Sequence, residues 1–206
     1  MAAGKYTSDD IIEHYDQTAG ERLRDRFHRA GVEYPPQRIL LFAVKDQKRL
    51  ELWAQSRQGW HWVHAYPIQA ASGSLGPKLM EGDAQVPEGV YGIEYLNPNS
   101  AFHLSMKLNY PNAFDWEKAR RDGRTNPGSD IFIHGKSVSS GCLAMGDPSI
   151  EELYILVHAI GKEQVRVIIA PTDPREGHLI PPARTPPWVS ELYQRIEQAL
   201  AEILDN

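Results

Sequence analysis

His134 and Cys142 have the residue types and the spacing for nucleophilic catalysis; Cys142 is the only cysteine of the chain, and the stretch GKSVSSG joins the two. A cysteine attacks as its thiolate, and a free thiol with a pKa near 8.5 is only a few per cent ionised at neutral pH unless a neighbour favours the anion. His134 is the neighbour the sequence supplies. The chemistry this pairing suggests is acyl transfer: Cys142 attacks a carbonyl, His134 passes a proton to the leaving amine, and a second nucleophile collects the acyl group. An amine in that last step gives transpeptidation and water gives hydrolysis. The backbone N–H groups of Ser140, Gly141 and Cys142 are the expected oxyanion donors, each worth ~3 kcal/mol of barrier. Ser139 is expected to tie down the turn or to orient a proton. A buried structural thiol is the competing reading, because free cysteines are among the most buried residue types. A serine nucleophile is disfavoured, since the elbow pattern G-x-S-x-G is absent. Gly135-Lys136-Ser137 imitates the end of a phosphate-binding loop, but Asp130 stands where that pattern needs its first glycine.

The flanking residues say what must position the pair. Ile131-Phe132-Ile133 reads as a short buried strand, Gly135 and Gly141 free the backbone to turn, and Asp147-Pro148 announces a helix. Both reactive side chains therefore belong to one strand-loop-helix edge. Upstream, Ile12, Tyr15, Ala19, Leu23 and Phe27 recur at spacings of three and four, predicting an amphipathic helix ended by Gly31 and Pro35-Pro36. Its arginines, Arg22, Arg24, Arg26 and Arg29, are interleaved with Glu21 and Asp25 and read as a solvated face. RILLFAV, RLELWAQ and HWVHAYPIQ between Arg38 and Gln69 predict a strand meander. Within it His61 and His64, three apart on a strand, are expected on opposite faces, so a shared metal is not expected there.

Ser72 to Asp83 is a glycine-rich loop, Gln85 to Glu94 a turn into a strand, and Asn97 to Asp130 a long segment of little periodicity of the kind that forms binding loops or lids. Ile150, Leu153, Val157 and Ile160 mark a helix, VRVIIA a closing strand, and a proline-rich connector leads to a last helix carrying Val189, Leu192, Tyr193, Ile196, Leu200 and Ile203 on one face. The organisation expected is an N-terminal helix and linker over 1–37, a catalytic domain over 38–172, and a connector with a packed C-terminal helix over 173–206.

A chain of 206 residues suits one domain with terminal additions. With 41% apolar and 24% charged residues, and no apolar run near the ~18 residues a membrane span needs, no transmembrane segment is expected. The net charge of -5 argues against nucleic acid as a partner. A single cysteine rules out an internal disulfide and a thiolate metal cluster. The polar start Met1 to Tyr6 lacks the apolar core of a secretory signal, as in a cytoplasmic protein or in an exported one already processed.

His134-Gly135 followed by Ser139-Ser140-Gly141-Cys142, after a strand meander and a glycine-rich loop, resembles the L,D-transpeptidase catalytic domain, the YkuD-like family of bacterial cell-wall enzymes. Further segments are similar to its YafK-like branch: Gly76-Pro77-Lys78-Leu79, Glu81-Gly82-Asp83, Pro87-Glu88-Gly89-Val90-Tyr91, Asn97-Pro98-Asn99-Ser100, Tyr110 to Asp115, and Cys142-Leu143-Ala144-Met145. The similarity runs in order from Arg38 to Pro171. It implies an α+β, β-rich catalytic fold with one core helix, flanked here by terminal helices. It also implies a thioester of Cys142 with the meso-diaminopimelate carbonyl of a peptidoglycan stem peptide, with His134 as base and no cofactor or metal. The branch includes hydrolases that detach a lipoprotein from peptidoglycan, so such a lipoprotein is a second expected partner. Hydrolysis, including L,D-carboxypeptidase action, and a non-catalytic wall-binding module remain the alternatives. Mature peptidoglycan lies outside the cytoplasmic membrane, so the resemblance implies a periplasmic or envelope location if the native protein carries an export signal, and a cytoplasmic one otherwise.

Two positions depart from the family pattern, since Ser140 stands where many members carry His and Ala144 where they carry Arg or Asn. The Ala-Met ending is ordinary in the branch, but the usual acyl-donor contacts are not expected from Ala144. His103, Lys78, Tyr110 and Gly135 are the candidate substrate-binding residues. Arg120, Arg121 and Arg124 either meet stem-peptide carboxylates or form a solvated loop face, and Trp116 either lines that loop or anchors it.

Overall fold

In a computed structural model, residues 5–204 are described; residues 1–4, on which the reading of an export signal partly rests, lie outside them. Two mixed five-stranded sheets form the frame. The first has the order β3-β2-β1-β10-β5, from β1 (Arg38–Val44), β2 (Arg49–Ser56), β3 (Gly59–Pro67), β5 (Gly89–Tyr91) and β10 (Val165–Ala170). The second has the order β4-β9-β8-β7-β6, from β4 (Ala70–Ala71), β6 (Ile93–Ser100), β7 (His103–Leu108), β8 (Phe132–His134) and β9 (Leu143–Ala144). Among the described residues only β1 with β10 and β8 with β9 run parallel.

The apolar run of β1 follows from its place at the centre of the first sheet, where both faces are covered. Ile39, Leu41 and Ala43 enter the core between the sheets, against Leu104, Met106 and Leu108 of β7, Ile133 of β8 and helix α4 (Asp147–Ile160). Leu40, Phe42 and Val44 face the other way, onto Val189, Leu192, Tyr193, Ile196 and Leu200 of α5 (Val189–Leu204). The C-terminal helix thus docks on the domain, and each such fully buried side chain contributes roughly 1.5–3 kcal/mol.

The N-terminal helix has a break the apolar spacing does not announce. It runs as α1 (Ser8–Tyr15), one π-turn (Asp16–Gly20) and α2 (Glu21–Ala30), with Thr7 and Asp10 forming a capping box and Gly31 the left-handed C-cap. At the π-turn a Cβ on Gly20 would lie 2.4 Å from Asp16 Oδ1; Arg24 donates to that oxygen at 2.7 Å and to the Asp16 carbonyl at 3.2 Å. The arginines of this helix are not a uniformly solvated face. Arg22 and Arg26 grip the buried Glu152 of α4 at 2.8 and 2.7 Å, and Tyr66 Oη donates to the same carboxylate at 2.8 Å.

Two further expectations change. A bulge at Val63 shifts the register so that His61 pairs with Ala54 and His64 with Leu52, which puts both histidines on one face of β3 rather than on opposite faces. They remain apart in function: His61 Nε2 bonds Ser56 Oγ at 2.9 Å, and His64 Nδ1 lies 3.2 Å from Arg26 Nη1. The segment Asn97 to Asp130 is also no irregular lid, since it holds the end of β6, all of β7 and α3 (Ala113–Arg121). Asn112 and Asp115 make a capping box at the start of α3, a signal present in the sequence.

Candidate active site

Parallel pairing of β8 with β9 sets Ile133 beside Leu143 and His134 beside Ala144. Ile133 and Leu143 point into the core, so by the alternation of strand side chains His134 points to the opposite face of the sheet, and Cys142 sits in the turn one residue before β9. Cys142 Sγ accepts the Phe132 N–H at 3.4 Å and faces the Asp130 carbonyl at 3.8 Å. His134 is 2% exposed, and the Phe102 ring covers it at a centroid distance of 4.6 Å.

The imidazole is oriented by its own neighbour, as His134 Nδ1 lies 2.6 Å from the Gly135 carbonyl. A carbonyl only accepts, so Nδ1 carries the proton and Nε2 keeps its lone pair for a proton from elsewhere. Among the described residues no hydrogen bond joins the ring to Cys142 Sγ. Such contacts often form only when substrate arrives.

Burial holds the His134 imidazole below its ordinary pKa, against a smaller opposing effect of the Gly135 carbonyl. Burial also pushes the Cys142 thiol up; the Phe132 N–H and the positive charge of Lys78 oppose this, and Asp130 adds to it. The pair therefore rests as neutral thiol and neutral imidazole, a nucleophile awaiting a base rather than a preformed ion pair.

The turn before Cys142 is held from a distance. Ser139 Oγ donates to the Cys142 carbonyl at 2.6 Å and accepts the Ser72 N–H at 3.2 Å, so its contacts are those of a residue tying down the turn. Ser72 Oγ donates to the Ala84 carbonyl at 2.7 Å and accepts the Gly141 N–H at 2.6 Å. Gly141 has a φ of 93°, a backbone suited to glycine. Its N–H is committed to Ser72, which takes it out of the three expected donors and leaves the N–H groups of Ser140 and Cys142 as candidates. Ser72 itself was missed in the sequence, where nothing links it to a turn 69 residues away.

The other candidates separate. Gly135 belongs to the site by close approach: a Cβ there would lie 2.7 Å from Asp147 Oδ1, 2.8 Å from the Phe102 carbonyl and 3.0 Å from His103 Cβ. Lys78 is buried and spends its ammonium on Asp83 Oδ1 at 2.5 Å and the Met80 carbonyl at 3.0 Å; it reaches Cys142 through its field, not by presenting a free cation. Tyr110 is core, its hydroxyl donating to the Pro127 carbonyl at 2.8 Å. His103 Nε2 bonds Glu151 Oε1 at 2.9 Å, and its ring meets Tyr15 edge-on at 5.6 Å, contacts that turn it to α4 and α1. Arg124 donates to the Leu79 carbonyl at 2.7 Å and pairs with Asp122, while Arg120, Arg121 and Trp116 lie on the exposed side of α3. Among the described residues no three His, Cys, Asp or Glu side chains gather to hold a metal ion, and no helix is long and apolar enough to cross a membrane.

The sequence profile described as YkuD, L,D-transpeptidase catalytic domain, matches residues 37–169. The curated Escherichia coli K12 protein named "Putative L,D-transpeptidase YafK" is 33% identical over 138 residues, covering 65% of this chain and 54% of the relative. The chain thus spans about half the length of the curated relatives it matches. The crystal structure of the helical cell shape determining protein Pgp2 from Campylobacter jejuni superposes with a TM-score of 0.54 at 20% identity, covering 73% of this chain and 56% of that one. That likeness concerns the fold.

Proposed function

We propose, from the premise that the chain belongs to the YkuD L,D-transpeptidase catalytic domain family, that it performs cysteine-dependent acyl transfer on peptidoglycan stem peptides in the periplasm or cell envelope. The observation that carries this reading is the β8–β9 pairing, which sets the His134 strand beside the turn that carries Cys142, with Nδ1 of the imidazole tied to the Gly135 carbonyl at 2.6 Å. Cys142 Sγ attacks the meso-diaminopimelate carbonyl carbon while its proton passes to His134 Nε2. The oxygen's charge is received by the N–H groups of Cys142 and Ser140. The C–N bond then breaks, the leaving amine takes the proton from His134, and a thioester on Cys142 remains. An acceptor amine attacks that thioester, gives its proton back through His134, and restores the thiol. Water in place of the amine gives hydrolysis by the same intermediate, releasing a trimmed stem peptide or a linked lipoprotein.

Mass spectrometry of muropeptides from purified sacculi, with and without linked lipoprotein, tests this with the protein and its Cys142→Ala variant. New cross-links or exchanged terminal amino acids made only by the parent protein are expected. Shortened stems or released lipoprotein would replace transfer by hydrolysis, and identical products from both proteins would overturn the enzymatic reading for this substrate.

A further inference from the structure

We propose that Phe102, at the tip of the β6–β7 hairpin, is a positioning residue for His134, and that the N-terminal helical segment holds this tip in place. The proposal rests on the acyl-transfer reading only for its effect on products. Phe102 is 41% exposed while the imidazole it packs on is 2% exposed, so this apolar ring lies between the base and water on its side, its plane tilted 36° to the imidazole. An exposed phenyl group on a turn is otherwise unfavourable, and here it shields a single titratable ring.

The tip is pinned on both sides. From the site, Lys136 Nζ donates to the Ala101 carbonyl at 2.6 Å and lies 5.9 Å from the Phe102 ring centre. The absence of a side chain at Gly135 admits the Phe102 carbonyl. From the N-terminal segment, the Tyr6 N–H donates to Asn99 Oδ1 at 2.8 Å and Asn99 Nδ2 donates to the Tyr6 carbonyl at 2.7 Å. Tyr15 packs edge-on against His103, which α4 holds through Glu151. His103 adopts a φ of 74°, a left-handed conformation uncommon for residues with a Cβ and kept where surrounding contacts over-determine it.

The titratable groups around the imidazole are Cys142 from the turn before β9, Lys136 beside it in the chain, Asp147 from the start of α4, and His103 with Glu151 beyond the tip. None of them makes a hydrogen bond to the ring, so burial is the main lever on its protonation, and the Phe102 ring is packed on it. Removing the roof lets water reach the imidazole, frees the ring to move, and opens the thioester to hydrolysis.

The test is an NMR pH titration of the His134 imidazole, assigned with His134→Gln, in the parent, Phe102→Ala, Phe102→Leu and Asn99→Ala proteins. Alongside it runs the pH dependence of Cys142 alkylation by iodoacetamide. Phe102→Ala is expected to move the His134 midpoint upward toward the ordinary ~6.5, carrying the acid limb of the alkylation profile with it, and to raise the ratio of hydrolysed to transferred product. Phe102→Leu keeps an apolar cover and stays near the parent; Asn99→Ala shifts in the same direction as Phe102→Ala by less. An unchanged midpoint in folded Phe102→Ala overturns the role of Phe102. If that variant fails to fold, a Phe102→Leu midpoint already at the ordinary value overturns it, and one near the parent's supports it. An unchanged Asn99→Ala overturns the role of the N-terminal segment. Neither the titration nor the alkylation needs peptidoglycan, so a shifted midpoint with no change in muropeptides would keep the roof and discard the substrate.

Discussion

Glu152 and His134 are both nearly sealed from solvent, at 1% and 2% exposure, and their surroundings treat charge in opposite ways. Burial alone would raise the pKa of Glu152, but hydrogen bonds from Arg26, Arg22 and Tyr66 outweigh it and hold the carboxyl below its ordinary range. His134 receives one backbone carbonyl and an apolar ring, so burial prevails and the imidazole stays neutral. A saturated polar group fixes α2 to α4 and β3 and has no bonding capacity to offer a substrate. An under-committed one keeps a lone pair available, and that difference separates a clamp from a base.

Breaking the sparse region at its centre gives the largest effect. Cys142→Ala is expected to reduce acyl transfer by about 10⁴-fold or more, read by muropeptide analysis, with thermal stability preserved. Breaking the saturated region does the reverse. Glu152→Gln leaves two arginines without their carboxylate and is expected to cost roughly 3 kcal/mol of stability, measured by urea unfolding, while Cys142 alkylation of the folded protein is unchanged. A loss below about 1 kcal/mol would place the cluster among ordinary surface ion pairs.

The two regions also separate by pH. Because the folded pKa of Glu152 is depressed, its stabilisation is complete above the ordinary carboxylate value of ~4.3 and is lost as pH falls through the folded value. The stability difference between the parent and Glu152→Gln should therefore hold from pH 7 to 5 and shrink below about pH 4. His134, also depressed but a base, makes unfolding easier at a higher pH, once the unfolded imidazole charges below ~6.5.

Gly135→Ala sharpens the comparison at the boundary. Its methyl would meet Asp147, Phe102 and His103 on three sides, and an overpacking cost of about 1–3 kcal/mol is expected, together with a loss of transfer larger than stability explains. The smallest expected effect is that of Asp130→Asn, which tolerates the positive φ at this position. Removing a 70% exposed charge lowers the Cys142 pKa slightly, so alkylation at pH 8 should rise about twofold at low salt and less at high salt.

The legible parts of this molecule are those whose signal is local. Ile131 to Met145 announces strand, turn and candidate pair within one stretch, Pro148 opens α4, and the both-faces burial of β1 is written as an uninterrupted apolar run. The hidden parts depend on single inserted residues or on distant partners. The π-turn at Asp16–Gly20 and the bulge at Val63 each displace a face by one position without changing composition. Ser72 meets Ser139 and Gly141 only because β4 pairs with β9. The strands within Asn97 to Asp130 are hidden by Pro98 and by the irregular pairing of β6, whose burial does not alternate.

Intact-protein mass spectrometry after brief incubation with a synthetic tetrapeptide stem tests the central claim most directly, using the parent, Cys142→Ala and His134→Gln proteins. A hydroxylamine-labile acyl adduct is expected on Cys142 of the parent, none on Cys142→Ala, and slow formation on His134→Gln. An adduct that persists in Cys142→Ala, or a parent protein that turns over the stem without ever carrying one, would contradict it.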